Sequence, residues 1–405
     1  MRKEKILVVN CGSSSIKYRV FEAETIKEIA GGLVERIGSE SSTLKHRVGS
    51  HSIALEINAL DHRQGLGQVL GILHGGEVKA VESLGEIIAV GHRVVHGGDT
   101  FFESTLIDDR VLDAVKDWAE LAPLHNPPNI AGIEAAQSLL PGIPQVAVFD
   151  TAFHQTMPEK AYIYPIPYEL YKKHRIRRYG FHGTSHGYVA RKAADVIGKP
   201  LGALKIVTCH LGNGCSVAAV RNGKSVDTSM GFTPLEGLVM GTRSGDIDPS
   251  IIFYMINNEK LSAEEVENLL NRSSGLLGIS GVSNDVRDIR READGGNGRA
   301  RLALEIFAYR TKKYVGSYAA AMGGLDAIVF TGGIGENDPI IRSTICADLE
   351  FLGVMLDGAL NAIASKDAQV ISSSDSPVKV LVIPTDEELV IAMETSRLVK
   401  GKTLK

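Results

Sequence analysis

Two short stretches repeat one design. Residues 5–22 read KILVVNCGSSSIKYRVFE and residues 205–220 read KIVTCHLGNGCSVAAV. Each opens on Lys and runs through a β-branched apolar stretch to one polar residue, Asn10 or His210. Each then reaches Gly12 or Gly212, passes small polar residues or glycine, and enters a second apolar strand. This is the pattern of a β-hairpin whose tight turn exposes backbone N–H groups and hydroxyls. Glycine lets an anion approach such a backbone closely, and a turn rich in N–H donors cradles phosphate. The repeat predicts two related halves, each offering one phosphate loop. Two unrelated hairpins in an α/β core are the alternative.

Strand-like runs occupy 6–9, 86–95, 144–149, 205–210, 326–330 and 378–384, with helical patterns between them. The clearest helical pattern covers 299–322, with Leu302, Ile306 and Tyr309 on one face and a stop at Gly323–Gly324. Such alternation argues an α/β fold in which the hairpins add antiparallel pairs. At 405 residues the chain exceeds one ordinary core, so two domains are expected. No Pro/Ser linker separates them, and a boundary fits near Asp150–Thr151, where a new cycle of elements begins. The stretch 387–401 reads as a helix that, in a duplicated fold, can cross back to the first half. The expected division is thus 1–150 joined by a C-terminal helix of 388–405, and 151–387.

Composition limits the partners. Apolar residues make up 44% and charged residues 23%, as in a globular protein and unlike a disordered one. A net charge of −4 gives no global field to draw nucleic acid or membrane, so anion binding rests on locally placed Arg, Lys and His. The apolar run after MRKEK is too short for a signal peptide, and no run approaches the roughly 18 residues that span a bilayer. Cys11, Cys209, Cys215 and Cys346 lack metal-finger or paired secretory spacing, which points to reduced thiols in the cytoplasm.

Phosphoryl transfer needs positive charge on the equatorial oxygens and a metal bridging the nucleotide phosphates. Lys17 follows the first loop, Arg93 sits in HRVVHGG (92–98), and Arg243 sits in GFTPLEGLVMGTRSGDIDP (231–249). Arg grips planar anions bidentately, although each of these can instead be a solvated charge or a structural ion pair. YGFHGTSH (179–186) places His182 and His186 on one helix face. It lacks the Glu of a zinc-protease helix, and reads instead as a helix start with Thr184 or Ser185 as N-cap. His182 can then donate an N–H to a transferring oxygen or serve as a structural histidine. Asp150 ends the strand-like VAVFD, and Glu387 in PTDEE follows another strand, so both can hold Mg²⁺ directly or through water. DAIVFTGGIGEN (326–337) reads as strand, glycine turn and helix, which takes nucleotide at a helix N-terminus. It lacks the third glycine of the dinucleotide fingerprint.

VVNCGSSSIK (8–17) and GFHGTSHGYVA (180–190) resemble the two signature segments of the acetokinase (acetate kinase) family. The resemblance continues in family order through GHRVVHGG, APLHNPPN, FDTAFHQTMP, CHLGNGCS, GFTPLEGL, GTRSGDIDP, TGGIGEN and IPTDEE, covering nearly the whole chain. It implies two duplicated ribonuclease-H-like (actin-like ATPase) domains with a nucleotide cleft between them. It further implies reversible Mg²⁺-dependent transfer of the ATP γ-phosphoryl group to acetate by direct in-line displacement, giving acetyl phosphate and ADP. Mn²⁺ is the implied substitute ion, a homodimer the implied assembly, and propionate kinase the runner-up activity.

Carried over by position, the resemblance implies that Asn10 and Glu387 place Mg²⁺, while Ser13, Ser15 and Lys17 line the first phosphate loop. His210, Asn213 and Gly214 match the second phosphate loop. Arg93 and Arg243 would grip the acyl substrate and the phosphoryl group, His182 would steady its equatorial oxygens, and Asp150 would sit at the reacting centre. His125 matches an active-site histidine, and Val95, Leu124, Phe181 and Pro234 match an apolar pocket for the methyl group. Asp285, Val286, Arg287, Gly333, Ile334, Gly335 and Asn337 match the adenosine site. Two positions depart from frequent family residues: Val286 stands where Phe is common, and Asp386 where Asn is common. An ATP-driven switch of the actin or chaperone type would share the hairpins but would not need the arginine and histidine set.

Overall fold

The computed structural model describes residues 4–122 and 125–403. Contacts divide the chain into two units, Met1–Ala152 with Asp386–Lys405, and Phe153–Thr385.

The first unit holds a sheet built from β1 (Lys5–Gly12), β2 (Ser15–Glu22), β3 (Glu28–Glu35), β4 (Ser42–Val48), β5 (His51–Ile57), β6 (Ile87–Val94), β7 (Thr105–Leu106) and β8 (Gln145–Phe149). Its order is β5-β4-β3-β2-β1-β6-β8-β7. The second unit holds β9 (Lys205–Leu211), β10 (Cys215–Arg221), β11 (Lys224–Thr228), β12 (Ala327–Thr331), β13 (Gln369–Val370) and β14 (Lys379–Val382), in the order β11-β10-β9-β12-β14-β13.

The repeated hairpin is the start of a repeated sheet. β3-β2-β1-β6-β8-β7 matches β11-β10-β9-β12-β14-β13 strand for strand. Neighbours among the first three strands of each pair antiparallel, the next two strands run parallel to the hairpin's first strand, and the last is antiparallel to its neighbour. The hairpin turns differ by one residue. Gly12 faces Ser15 across the first, whereas Leu211 faces Cys215 across the second. Strands covered on both faces should be apolar throughout, and every residue of β8 and β12 is buried.

In the first unit, helices His62–His74 and Asn126–Leu139 cover one face, packing Leu66, Leu70, Ala135 and Ala136 on Leu7, Val9 and Ile16. The helix Glu387–Thr403 covers the other face, where Ile391 and Ala392 meet Ile6, Val8, Ala89 and Val146. Its approach to β6 is very close: a Cβ at Gly91 would lie 2.3 Å from Thr395 Oγ1 and 2.7 Å from Ile391 Cγ2. In the second unit, helix Gly183–Ile197 sets Val189, Ala190 and Ala193 on Ile206, Val329 and Leu381.

Two sequence expectations are corrected here. The long helix runs Gly298–Met322 and ends on left-handed Gly323, but Leu302 and Tyr309 are exposed. Its buried face is instead Ala303, Leu304, Phe307, Ala308, Thr311 and Val315. Periodicity alone could not separate the two faces, because both carry apolar residues at helical spacing. The start of helix Gly183–Ile197 is the second. Thr184 and Ser185 lie inside its first turn and no side chain caps it. The N-cap position belongs to His182, which takes the left-handed conformation (φ 56°, ψ 24°).

Candidate active site

In the first unit, Ser13 and Ser14 form the exposed turn after β1, Ser15 opens β2, and Asn10 stands opposite Lys17 in register. The turn is anchored from two helices. His62 Nε2 donates to the Gly12 carbonyl at 2.7 Å, and Asn129 Nδ2 donates to the Cys11 carbonyl at 2.9 Å. Asn129 Oδ1 also accepts from Val95 N at 3.0 Å, while Asn126 bonds both the N–H and the carbonyl of His96. Asn129 of LHNPPN thereby ties the end of β1 to the residue after β6, and Asn126 holds the next one. His125 precedes them at the helix N-cap position, Val95 is buried, and Leu124 lies outside the described residues.

The PTDEE segment delivers three consecutive carboxylates to three cations. Glu388 Oε1 lies 2.7 Å from Lys17 Nζ, Asp386 Oδ1 lies 3.0 Å from Arg19 Nη1, and Glu387 Oε2 lies 3.7 Å from Arg93 Nε. Arg93 Nη2 also donates to Asp150, which is fully buried just beyond β8. Burial works against the Arg93 charge, but Asp150, Glu387 and Glu388 outweigh it and raise its pKa. Burial likewise pushes the Glu387 carboxyl above the usual carboxylate range, with Arg93 pulling the other way. Of these three acids the sequence assigned a role only to Glu387, marked Asp386 only as a departure from a common Asn, and passed over Glu388.

In the second unit, five hydroxyl and imidazole side chains fix His182, directly or through one another. Its Nδ1 lies 2.9 Å from Ser216 Oγ, which is 2.7 Å from His186 Nε2, while His186 Nδ1 lies 2.7 Å from Thr208 Oγ1. The His182 ring stacks on His210 at 4.3 Å between centroids, and His210 Nδ1 is 2.9 Å from Ser185 Oγ. Burial, then the nearness of His154 and His210, keeps the His186 pKa well below its ordinary value, so His186 is neutral. Ser185 is thus engaged by His210 rather than capping the helix. Left-handed backbone at a residue other than glycine is strained, and such strain gathers at functional positions.

Arg243 reaches the same place from its own loop. Its Nη1 donates to the Pro234 carbonyl at 3.3 Å, and burial lowers its pKa. A Cβ on Gly214 would lie 3.5 Å from His182 Nε2 and 3.8 Å from Arg243 Nη1, so these residues bound one small space. Asn213 holds the turn in place, its carbonyl accepting from Gly241 N at 2.9 Å. Phe181 is buried, and its carbonyl accepts from His154 Nε2 at 3.0 Å.

Beside this turn is a cavity of about 510 Å³ lined by Gly212, Asn213, Asn284, Asp285, Val286, Arg287, Gly333, Ile334, Asn337 and Asp338. Six of the seven predicted adenosine residues are among these, and Gly335 is buried on the same helix, Gly332–Asn337. Arg287 hydrogen-bonds Asp285 at 2.6 Å through Nη2 and pulls its carboxyl down to about 2. Among the described residues, no group of three or more His, Cys, Asp or Glu can hold a metal ion. A divalent ion here would therefore take amide, water or substrate oxygens besides carboxylate. No helix among the described residues is long and apolar enough to cross a membrane.

The comparisons with known proteins agree with one another. The family model described as the acetokinase family matches residues 5–393. An acetate kinase of Caldanaerobacter subterraneus subsp. tengcongensis is 58% identical over 399 residues, 98% of this chain and 99% of the relative. The crystal structure of Porphyromonas gingivalis acetate kinase superposes with a TM-score of 0.93 at 47% identity, covering 98% of this chain and 100% of that one. A propionate kinase from Francisella tularensis subsp. tularensis superposes with a TM-score of 0.91 at 46% identity, with the same coverage. With its duplicated α/β sheets and a family match along nearly its whole length, the chain is a kinase and belongs to the acetokinase family.

Proposed function

We propose that this kinase transfers the γ-phosphoryl group of ATP to acetate, giving acetyl phosphate and ADP, reversibly and by direct in-line displacement. The observation that carries the reading is the space at Gly214 bounded by His182 and Arg243 on the turn of a phosphate hairpin. Ser13, Ser15 and Lys17 serve the nucleotide phosphates from the first hairpin, and His210, Asn213 and Gly214 from the second. Adenosine occupies the cavity lined by Asp285, Val286, Arg287, Gly333, Ile334 and Asn337, with Gly335 behind it.

A small carboxylic acid is already ionised at neutral pH, so its oxygen attacks phosphorus without a general base. The difficulty is repulsion between two anions. Arg243, His182 and Lys17 oppose it on the phosphoryl side, and Arg93 on the carboxylate side. Arg93 Nε is buried and makes no hydrogen bond among the described residues, with Glu387 Oε2 only at ion-pair distance of 3.7 Å, which leaves a donor suited to an entering carboxylate. Asp150 fixes Arg93 and orients the reacting groups rather than removing a proton. Asn10 and Glu387, amide and carboxylate oxygen donors, suit Mg²⁺, with Mn²⁺ able to use the same set. When bound, the ion offsets charge on the nucleotide phosphates.

The methyl group is assigned to the apolar side chains Val95, Phe181 and Pro234 that the resemblance names, with the branched Val95 limiting acyl length. Propionate is the second reading, favoured by the likeness to the Francisella enzyme. Ile251, Phe253 and Tyr254 on helix Ser250–Asn257, with Leu302 and Tyr309, are exposed apolar residues suited to packing against a second copy in a homodimer. The four cysteines are free and buried, which suits a reducing cytoplasm. Hydroxylamine trapping with ATP and acetate, propionate or butyrate tests the reading. It predicts acyl hydroxamate at the highest kcat/KM with acetate. A higher kcat/KM with propionate selects the second reading, and no hydroxamate with any acid removes both.

A further inference from the structure

Three residues outside the sets above converge beneath the loop that carries Arg243. Arg178 Nη1 donates to the carbonyls of Thr228, Ser229 and Met230 at 3.0, 3.1 and 3.2 Å, and its Nη2 donates to Glu236 Oε1. The other oxygen of Glu236 accepts from the Tyr164 hydroxyl, which itself accepts from Phe232 N at 2.9 Å. A Cβ on Gly231 would fall 1.7 Å from Glu236 Oε2 and 2.2 Å from Tyr164 Oη, so only glycine lets the carboxylate fold under the turn. The Gly231 carbonyl accepts from Tyr179 N at 3.0 Å and Gly180 N at 3.3 Å, on the segment that leads directly into His182.

The far end of the loop is pinned separately. Asp246 accepts from Gly237 N at 2.8 Å and from the Tyr314 hydroxyl at 2.7 Å. Between the two pins lie Pro234, whose carbonyl receives Arg243, and Arg243 itself.

We infer that Glu236 is a positioning residue: held by Arg178 and Tyr164, it fixes the Arg243 loop against the segment bearing His182 and so sets the spacing of those two side chains around Gly214. The inference rests on the phosphoryl-transfer reading above. It explains why a carboxylate stands beside a loop whose proposed task is to bind an anion. Glu236 is neutralised by Arg178, so it shapes the loop without repelling the substrate.

The test is a set of variants studied as the whole chain. Glu236→Gln keeps the side chain's size but removes the charge that holds Arg178, and Tyr164→Phe removes one hydroxyl. A misplacement near 1 Å in a catalytic group costs about 10²-fold in rate. Glu236→Gln is therefore expected to lose about 10²-fold in kcat, and Tyr164→Phe about 10-fold. ADP affinity should stay at the wild-type value in both. The fold should remain intact at the assay temperature, although the melting midpoint of Glu236→Gln falls as Arg178 loses its partner. Hydrogen–deuterium exchange should rise only across 178–182 and 228–246. Joined with Arg178→Lys, Glu236→Gln should lose little more than alone.

Wild-type kcat in Glu236→Gln overturns the inference. So does a fall in kcat accompanied by lost ADP binding, because that is a folding defect. Should Glu236→Gln fail to fold, Tyr164→Phe decides by the same criteria. A wild-type enzyme that phosphorylates neither acetate nor propionate overturns the reading of the reaction, and the exchange data then judge the clamp alone.

Discussion

At Gly214 the room that a methyl group would fill is bounded by His182 and Arg243, which makes each side chain's contribution separable. Arg243→Ala should leave ADP binding near wild type and cut kcat by about 10²–10³-fold, as for loss of a preorganised donor. Turnover within threefold of wild type would remove Arg243 from the reaction. Val95→Ala should raise kcat/KM for propionate over acetate by about 10-fold, since one methylene in an apolar pocket is worth about 1–3 kcal/mol. An unchanged ratio would remove Val95 from the methyl pocket. The charged residues were readable because each stands beside a glycine turn at the end of a strand. Their orienting partners were not. Ser216 and Thr208 look like ordinary strand residues until β9 and β10 set them against His186, and Glu236 has meaning only once Gly231 brings it beneath its own turn.

Helix Asn126–Leu139 works as a staple, and its removal can be measured. Asn129→Ala leaves the Val95 N–H and the Cys11 carbonyl without their partner, which should cost about 1–3 kcal/mol of stability in denaturant unfolding. A change below 0.5 kcal/mol, the ordinary range for a surface substitution, would mean that water replaces it. In the proposed reaction the helix Glu387–Thr403 would link fold to chemistry, since its first turn sets Glu387 and Glu388 against Arg93 and Lys17 while its body covers β6. Because burial raises the Glu387 pKa, the Mg²⁺ concentration for half-maximal rate should climb as pH falls, beginning above the ordinary carboxylate range. Glu387→Gln should require more Mg²⁺ at every pH and lose that climb; an unchanged Mg²⁺ requirement would reject the assignment. The closing helix was legible as a pattern, and so were the buried central strands. β4 and β5 were not, because the outer strand is largely exposed and has no apolar run to read.

For the molecule as a whole, the six-strand pattern repeated in both units explains why two hairpins foretold so much: each is the seed of one sheet. Buried histidines give it a predictable weakness to acid. Burial lowers the pKa of His92 and His154 to about 4 and of His96 to about 3. The unfolded chain takes up these protons near the ordinary 6.5 and the folded one resists them. Their stabilisation is therefore intact above about pH 6.5 and drains as pH falls toward 4. Glu387, raised by burial, acts in the opposite sense, since its buried charge is relieved on acidification. The melting midpoint should fall from about pH 6.5 to 5, before ordinary carboxylates titrate. A flat midpoint across that window would mean the histidines are not neutral and buried. The reaction itself is decided by incubating the protein with ATP, Mg²⁺ and [¹⁸O]acetate and following ³¹P resonances. Direct attack by the carboxylate predicts acetyl phosphate carrying ¹⁸O in its bridging position, formed in step with ADP. Inorganic phosphate with no acyl phosphate, or acyl phosphate without bridging ¹⁸O, would contradict it.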